Sequence, residues 1–371
     1  MKNYFFYLFL IVLISCADRN KKYCFNASTT DDQISALYIA VSNQDSEING
    51  NLYEQSLITK TRKSGKTPSL KNETEIENYL TEIDSFYRNF KLTAIKDMNL
   101  TEDTIIKTFA HNLGINKSFY KYDIDKNGHD DIITTGCFYW PEQKYCSFNS
   151  IALMNTGNEY VIKPLLKSHN SSLVPVIIPG NNTFLKIYNP PIAIRGYTLQ
   201  KGYSTTLTYK FDNFIEYNPN PIQKNIQRIE FGTTPCYGTC PVFQIIIDKN
   251  RKAYYIAKYY NFTQKLPEDL AKEEGFFTTN LKNEDFNSIE KIINYLDFNN
   301  LKPGYSVYHT DAPSCLLKIT YNDGKSKIIN DYGLSGTYGL KILYALLTDL
   351  RNNQEWIKTD EIEGIRIKDL Y

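Results

Sequence analysis

Cys236-Tyr237-Gly238-Thr239-Cys240-Pro241 lies between two runs that read as β-strands, residues 226–231 and 242–248, and it constrains the chain more than any other stretch. Cysteines four positions apart are widely separated on an extended strand, whereas a disulfide needs Cα atoms within about 7 Å. The backbone must fold back here if the two sulfurs are to meet, and Gly238 gives it the freedom to do so. Three uses stay open at this point. The pair can bridge itself, one member can bridge to Cys315, or both can hold a soft metal with His309 as third ligand.

The compartment weighs on that choice. Lys2, an apolar run over residues 4–14 and the closing Leu13-Ile14-Ser15-Cys16 resemble a bacterial lipoprotein signal peptide with its lipobox. The resemblance implies removal of residues 1–15, acylation of Cys16 and attachment to a membrane through the lipid. Ala17 stands where an inner-membrane retention signal would carry Asp, so the expected address is the outer membrane, facing the periplasm. Six cysteines remain in a compartment that permits disulfides: Cys24, Cys137, Cys146, Cys236, Cys240 and Cys315. A structural bridge between Cys236 and Cys240 then becomes the leading reading. Cys137 and Cys146 bracket a loop with Trp140 and Pro141 between two strand-like runs, a spacing that suits a hairpin-bridging disulfide.

At 371 residues the chain is long for one core. Its 42 basic and 41 acidic residues are spread without blocks, which leaves no electrostatic footprint for nucleic acid. The expected fold class is α+β: a helical tether at the N-terminus (residues 16–75), a middle domain with helices and mainly β structure (76–218), and a C-terminal α+β layer domain (225–356). Residues 357–371 form a tail. Ile76, Tyr79, Leu80, Ile83 and Phe86 fall on one helical face, and Ile105, Ile106, Phe109 and Leu113 on a second. The Asn-Pro pairs in Tyr217-Asn218-Pro219-Asn220-Pro221 mark the domain boundary.

Within the middle domain, Asp123, Asp125, Asn127 and Asp131 stand at positions 1, 3, 5 and 9 of a loop with Gly128 at position 6. Oxygen donors at this spacing suit a hard cation such as calcium, with the backbone carbonyl of His129 as a further ligand. An EF-hand also needs Glu at position 12, where this chain has Thr134, and a β-type run follows. The loop resembles the strand-loop-strand calcium loops of FG-GAP and VCBS-type repeats, in a single copy. The resemblance implies a bound ion, structural in role; the alternative is a bare Asx-rich turn.

The C-terminal domain predicts two hairpins and two helices. One hairpin runs through residues 242–248 and 252–258 about a turn at Lys249-Asn250. The other runs from Cys315 to Ile329 about Asn322-Asp323-Gly324. Phe286, Ile289, Ile293 and Leu296 repeat at helical spacing behind a cap at Asn283 or nearby acids, and Leu340, Leu343, Leu347 and Leu350 form a second stripe. With its Cys236 to Pro241 turn, Thr310-Asp311-Ala312-Pro313 and Trp356, residues 226–356 resemble an uncharacterised domain-of-unknown-function family with a C-F/Y-G-T-C-P signature. The resemblance brings no activity. The turn at residues 248–251 departs from it, since such domains usually carry glycine there.

The chain has four histidines and no H-E-x-x-H, G-x-S-x-G, Walker or G-x-G-x-x-G motif. The expected role is therefore non-catalytic binding or scaffolding of an envelope protein or glycan. Two alternatives are a periplasmic copper-binding or thiol-redox protein using Cys236, Cys240 and His309, similar to Sco-type proteins, and an envelope hydrolase with unassigned carboxylates.

Overall fold

A computed structural model describes residues 67–100, 104–140, 145–167, 172–194, 197–261, 274–307, 309–362 and 365–366. The expected signal segment, Cys16, Cys24 and residues 16–66 of the tether lie outside the described residues. Helix α1 (Glu73–Ile83) begins where Asn72 Oδ1 accepts the Glu75 N–H at 3.0 Å and Glu75 in turn accepts the Lys71 N–H. Ile76, Tyr79 and Leu80 form its buried stripe. They pack on a five-stranded sheet of β1 (Phe90–Leu92), β2 (Phe119–Tyr122), β3 (Asp131–Phe138), β4 (Ser147–Asn155) and β5 (Tyr160–Pro164), in the order β1-β3-β4-β5 with β2 also paired to β3.

Every residue of β3 is buried because both faces of this sheet are covered. Ile132 and Phe138 turn toward α1, while Ile133 and Cys137 turn the other way. That second face packs against helix α2 (Thr104–Asn112) and a four-stranded sheet of β6 (Val174–Ile178), β7 (Phe184–Asn189), β10 (Tyr203–Lys210) and β11 (Asn213–Glu216). Between β7 and β10, β8 (Ile192–Ile194) and β9 (Tyr197–Gln200) pair as a separate hairpin. The stripe expected on α2 is rotated. Ile106 and Ala110 are buried, whereas Ile105 and Phe109 are 38% and 37% exposed. Ala110 reaches the core where the bulkier neighbours were expected to lead.

The C-terminal sheet has eight strands, more than two hairpins provide. They are β12 (Ile226–Thr233), β13 (Val242–Asp248), β14 (Lys252–Tyr259), β15 (Gly275–Asn280), β16 (Gly304–Ser306), β17 (Ser314–Tyr321), β18 (Lys325–Tyr332) and β19 (Ile357–Thr359). Their order is β16-β18-β17-β12-β13-β14-β15-β19, antiparallel except for the short pair β16 and β18. Helices α3 (Asn283–Tyr295) and α4 (Tyr338–Asn353) cover one face and bury Ile289, Ile293, Leu340, Leu343 and Leu347 against alternate strand residues such as Ile229, Phe231 and Ile245. The last described residues form the pair β20 (Glu361–Ile362) and β21 (Ile365–Arg366).

Two local expectations are corrected. The cap residue of α3 is Lys282, with no side-chain cap bond, and Asn283 is already helical. In the β13–β14 turn, expected at Lys249-Asn250, the left-handed residue is Arg251, one position further on, at φ 68°. A non-glycine residue there is strained. Arg251 is held by donating its Nη1 to the Leu281 carbonyl at 2.7 Å while its own carbonyl accepts the Leu281 N–H at 3.0 Å.

Strand β11 joins the middle sheet to the C-terminal helices. Alternation sends Phe214 into the core shared with the first sheet and Ile215 into the core under α3 and α4. At its end Glu216 caps α4 from outside, accepting the N–H groups of Tyr338 and Gly339 at 2.6 and 2.9 Å. A carboxylate there satisfies two orphan donors and meets the positive end of the helix dipole. Tyr338 runs the opposite way. Its ring packs in the middle core and its hydroxyl donates to the Leu165 carbonyl at 2.7 Å.

Candidate functional site

Among the described residues, those singled out in the sequence gather in two constellations. The first is the acidic loop between β2 and β3. Lys126 at φ 64° and Gly128 at φ 90° reverse the chain sharply, and the carboxylates take up the backbone donors that the turn exposes. Asp123 accepts the N–H groups of Asn127 and Gly128 at 3.1 and 3.0 Å. Asp131 accepts those of Ile124 and Asn155 at 2.8 and 2.7 Å. One oxygen from each of Asp123, Asp125 and Asp131 lies within 4.8 Å of the others.

Three carboxylates at that distance repel one another, and Asp131 is fully buried. Burial, more than the nearby Asp125, pushes the Asp131 carboxyl up to about 7. Burial likewise raises Asp125. Among the described residues no lysine or arginine pairs with either one. A hard cation is the partner that such an oxygen set accommodates.

The remaining expected ligands sit less directly. Asn127 turns its Nδ2 to Asp125 and to the Asn155 carbonyl, while its Oδ1 accepts the His129 N–H at 2.9 Å. To ligate through oxygen its carboxamide must rotate. The His129 ring lies against Gly157, where a Cβ would come within 2.7 Å of Nε2. Asn155 was missed in the sequence. Its backbone N–H holds Asp131, its carbonyl holds Asn127, and its side chain donates to the Asp130 carbonyl at 3.3 Å. The signal for it was the β3–β4 pairing, in which Ile132 stands opposite Leu153 and so brings the ends of both strands to the loop.

Cys137 and Cys146 are joined at the far end of the same strand pair, with Cα atoms 5.2 Å apart. The bridge and the acidic loop thus hold opposite ends of β3.

The second constellation is the corner formed by the Cys236 to Pro241 turn and the Thr310 to Pro313 element. Cys236 and Cys240 are bonded to each other with Cα atoms 5.7 Å apart, and Gly238 at φ 145° makes the reversal. Thr233 Oγ1 donates to the Pro241 carbonyl at 2.7 Å and so ties the exit of the turn to its entry. The Tyr237 N–H donates to the Asp311 carbonyl at 3.2 Å, and Thr234 pairs with Ser314 through both backbone and hydroxyl. The Thr310 to Pro313 element is fixed in turn by the Tyr332 hydroxyl, which accepts the Ala312 N–H at 3.1 Å. The two segments, about 70 positions apart, therefore support each other. The Tyr237 side chain projects into solvent at 80% exposure.

Cys315 does not pair with either cysteine of the turn. It is buried opposite Asp331 on β18, and burial raises its thiol. Asp331 accepts the N–H groups of Ser335 and Gly336 at 3.1 and 2.8 Å, which shapes the loop leading into α4. His309 is half-buried, and desolvation lowers its imidazole against the opposing effect of Asp311.

Compared with known families, residues 227–351 match the family model described as Domain of unknown function (DUF6438), about a third of the chain. No curated protein and no solved structure matches the chain significantly.

Proposed function

We propose that this chain is a lipid-anchored cell-envelope protein that binds or scaffolds a partner, and that the loop from Asp123 to Asp131 holds a structural calcium ion. The convergence of the Asp123, Asp125 and Asp131 carboxylates carries the calcium reading. Asp123, Asp125 and Asp131 would supply carboxylate oxygens, with the Asn127 side chain and the His129 carbonyl completing the set. The ion would offset the mutual repulsion of the acids and fasten β2, β3 and the end of β4. Its role is structural, because the loop closes a strand pair and Asp131 is already tied to two backbone donors.

The anchor reading rests on the segment ending in Cys16. Detergent partitioning and mass analysis of the mature N-terminus test it. An acylated Cys16 is expected, and a soluble, unmodified chain would refute it. The bonded Cys236–Cys240 pair supports a stapled corner over a copper or thiol-redox centre, since both sulfurs are occupied. Alkylation of the purified envelope form separates the two readings. Free, rapidly alkylated Cys236 and Cys240 would favour the redox alternative. Chelator-sensitive thermal stability that disappears in Asp125→Ala tests the calcium loop itself.

A further inference from the structure

At the junction between the exit of the middle domain and the C-terminal sheet lies a cleft of about 200 Å³, walled by the segment after Asn218, by the loop after α3 and by the β17–β18 turn. Its distinguishing feature is Lys224. This lysine lines the cleft yet is only 5% exposed. An ammonium has three donors. Nζ gives one to the Ile222 carbonyl at 2.9 Å and lies 5.1 Å from the centre of the Phe298 ring. Asp297 acts on it electrostatically without reaching ion-pair distance. Burial lowers the lysine from its ordinary value, as expected for a desolvated cation whose partners are incomplete. A buried ammonium in this state costs free energy until an acceptor meets it.

The rest of the lining fits a particular acceptor. Lys325 and Asn299 line the same cleft, both are exposed, and no side-chain bond engages either among the described residues. With Asp297 the charged lining sums to one positive charge, from Lys224 and Lys325 against one carboxylate. Ile222, 55% exposed, supplies an apolar wall. A carboxamide and a carboxylate beside two ammonium groups suit a ligand with one anionic group and several hydroxyls. The hydroxyls donate to Asp297 and exchange bonds with Asn299.

We propose that this cleft is a binding site for a small hydroxylated monocarboxylate of the sugar-acid class, its carboxylate between Lys224 and Lys325. The volume accommodates a single ring. The inference stands apart from the calcium loop, which involves none of these residues.

Saturation-transfer NMR and calorimetry with glucuronate as the probe test it on the full chain, with glucose and acetate as comparison probes. Glucuronate is expected to bind saturably in the millimolar range or tighter. Glucose, lacking the carboxylate, and acetate, lacking the hydroxyls, are each expected to bind at least about tenfold more weakly. Lys325→Ala and Asn299→Ala, changes at exposed side chains, should each weaken glucuronate about tenfold while leaving Tm unchanged. Lys224→Met should abolish binding, and because it alters a buried residue its Tm is measured alongside. The proposal is overturned by absence of saturable glucuronate binding up to about 10 mM. It is equally overturned by binding that Lys325→Ala and Asn299→Ala leave intact, or that acetate matches. Calcium-dependent stability measured in the same samples reports on the loop separately.

Discussion

Tyr338→Phe removes one oxygen from the place where the middle and C-terminal sheets interlock. In the native protein Tyr338 is 6% exposed, its ring belongs to the middle core, and its hydroxyl donates to the carbonyl of Leu165, itself fully buried. Burial keeps the phenol protonated, far above its ordinary titration range, so the hydroxyl remains a donor at any working pH. Phenylalanine retains the ring packing and leaves the Leu165 carbonyl without that donor in a buried site. The cost of an unsatisfied buried acceptor is about 1 to 3 kcal/mol. For a unit of this size that lowers Tm by roughly 2 to 4 °C per kcal/mol. Tyr237→Phe, at a hydroxyl on an 80% exposed residue, is the control and should stay within about 0.5 kcal/mol of the parent. Urea unfolding followed by circular dichroism, with calorimetry for Tm, measures both. A loss below about 0.3 kcal/mol in Tyr338→Phe, equal to the control, would refute the claim that this bond stabilises the interlock.

Gly339→Ala should destabilise by about 1 to 3 kcal/mol although alanine is the better helix former, because the added Cβ collides with Leu296 and lies 3.1 Å from Ile215 Cδ1; denaturant midpoints check it. Removing the Cys236–Cys240 bridge by paired serine substitution should cost about 2 kcal/mol, and removing Cys137–Cys146 slightly more, as the longer loop requires; unfolding of each variant with and without reductant measures this. In calcium-free buffer, Asp131 titrates in the folded state near pH 7 instead of 3.8. Its raised value means that the folded state holds the proton more tightly. The associated stability is complete below pH 3.8 and is lost as pH rises through about 7, a change of about 4 kcal/mol at most. Tm measured from pH 5 to pH 8 should therefore fall in the parent relative to Asp131→Asn, and added calcium should reverse the trend at pH 8.

Sequence periodicity carried far where contacts are local. The β17–β18 hairpin was legible because strand alternation ends on Asn322-Asp323-Gly324, and all three adopt positive φ. The α4 stripe was legible for the same reason, with Thr337 as its cap. Strands β15 and β19 were not, since each is short and its pairing partner is chosen by the tertiary fold; β19 follows β15 by about 80 positions. The α2 face was misread because Ala110 contributes little to an apolar stripe yet occupies its centre. At the acidic loop the spacing of Asp123, Asp125 and Asp131 sufficed to bring three carboxylates together, whereas Asn155 and the Glu216 cap depend on partners 24 and 122 positions away. No local pattern encodes contacts of that range.

Calorimetric titration of chelator-stripped full-length protein with calcium, in parallel with Asp125→Ala and Asp131→Asn, is the most direct test of the proposed calcium site. One ion per chain, a rise in Tm on loading and loss of both effects in the two variants are expected. Absence of heat and of any Tm change up to about 5 mM calcium, well beyond the weakest extracellular calcium modules, would contradict it and leave the loop a turn held by its own hydrogen bonds.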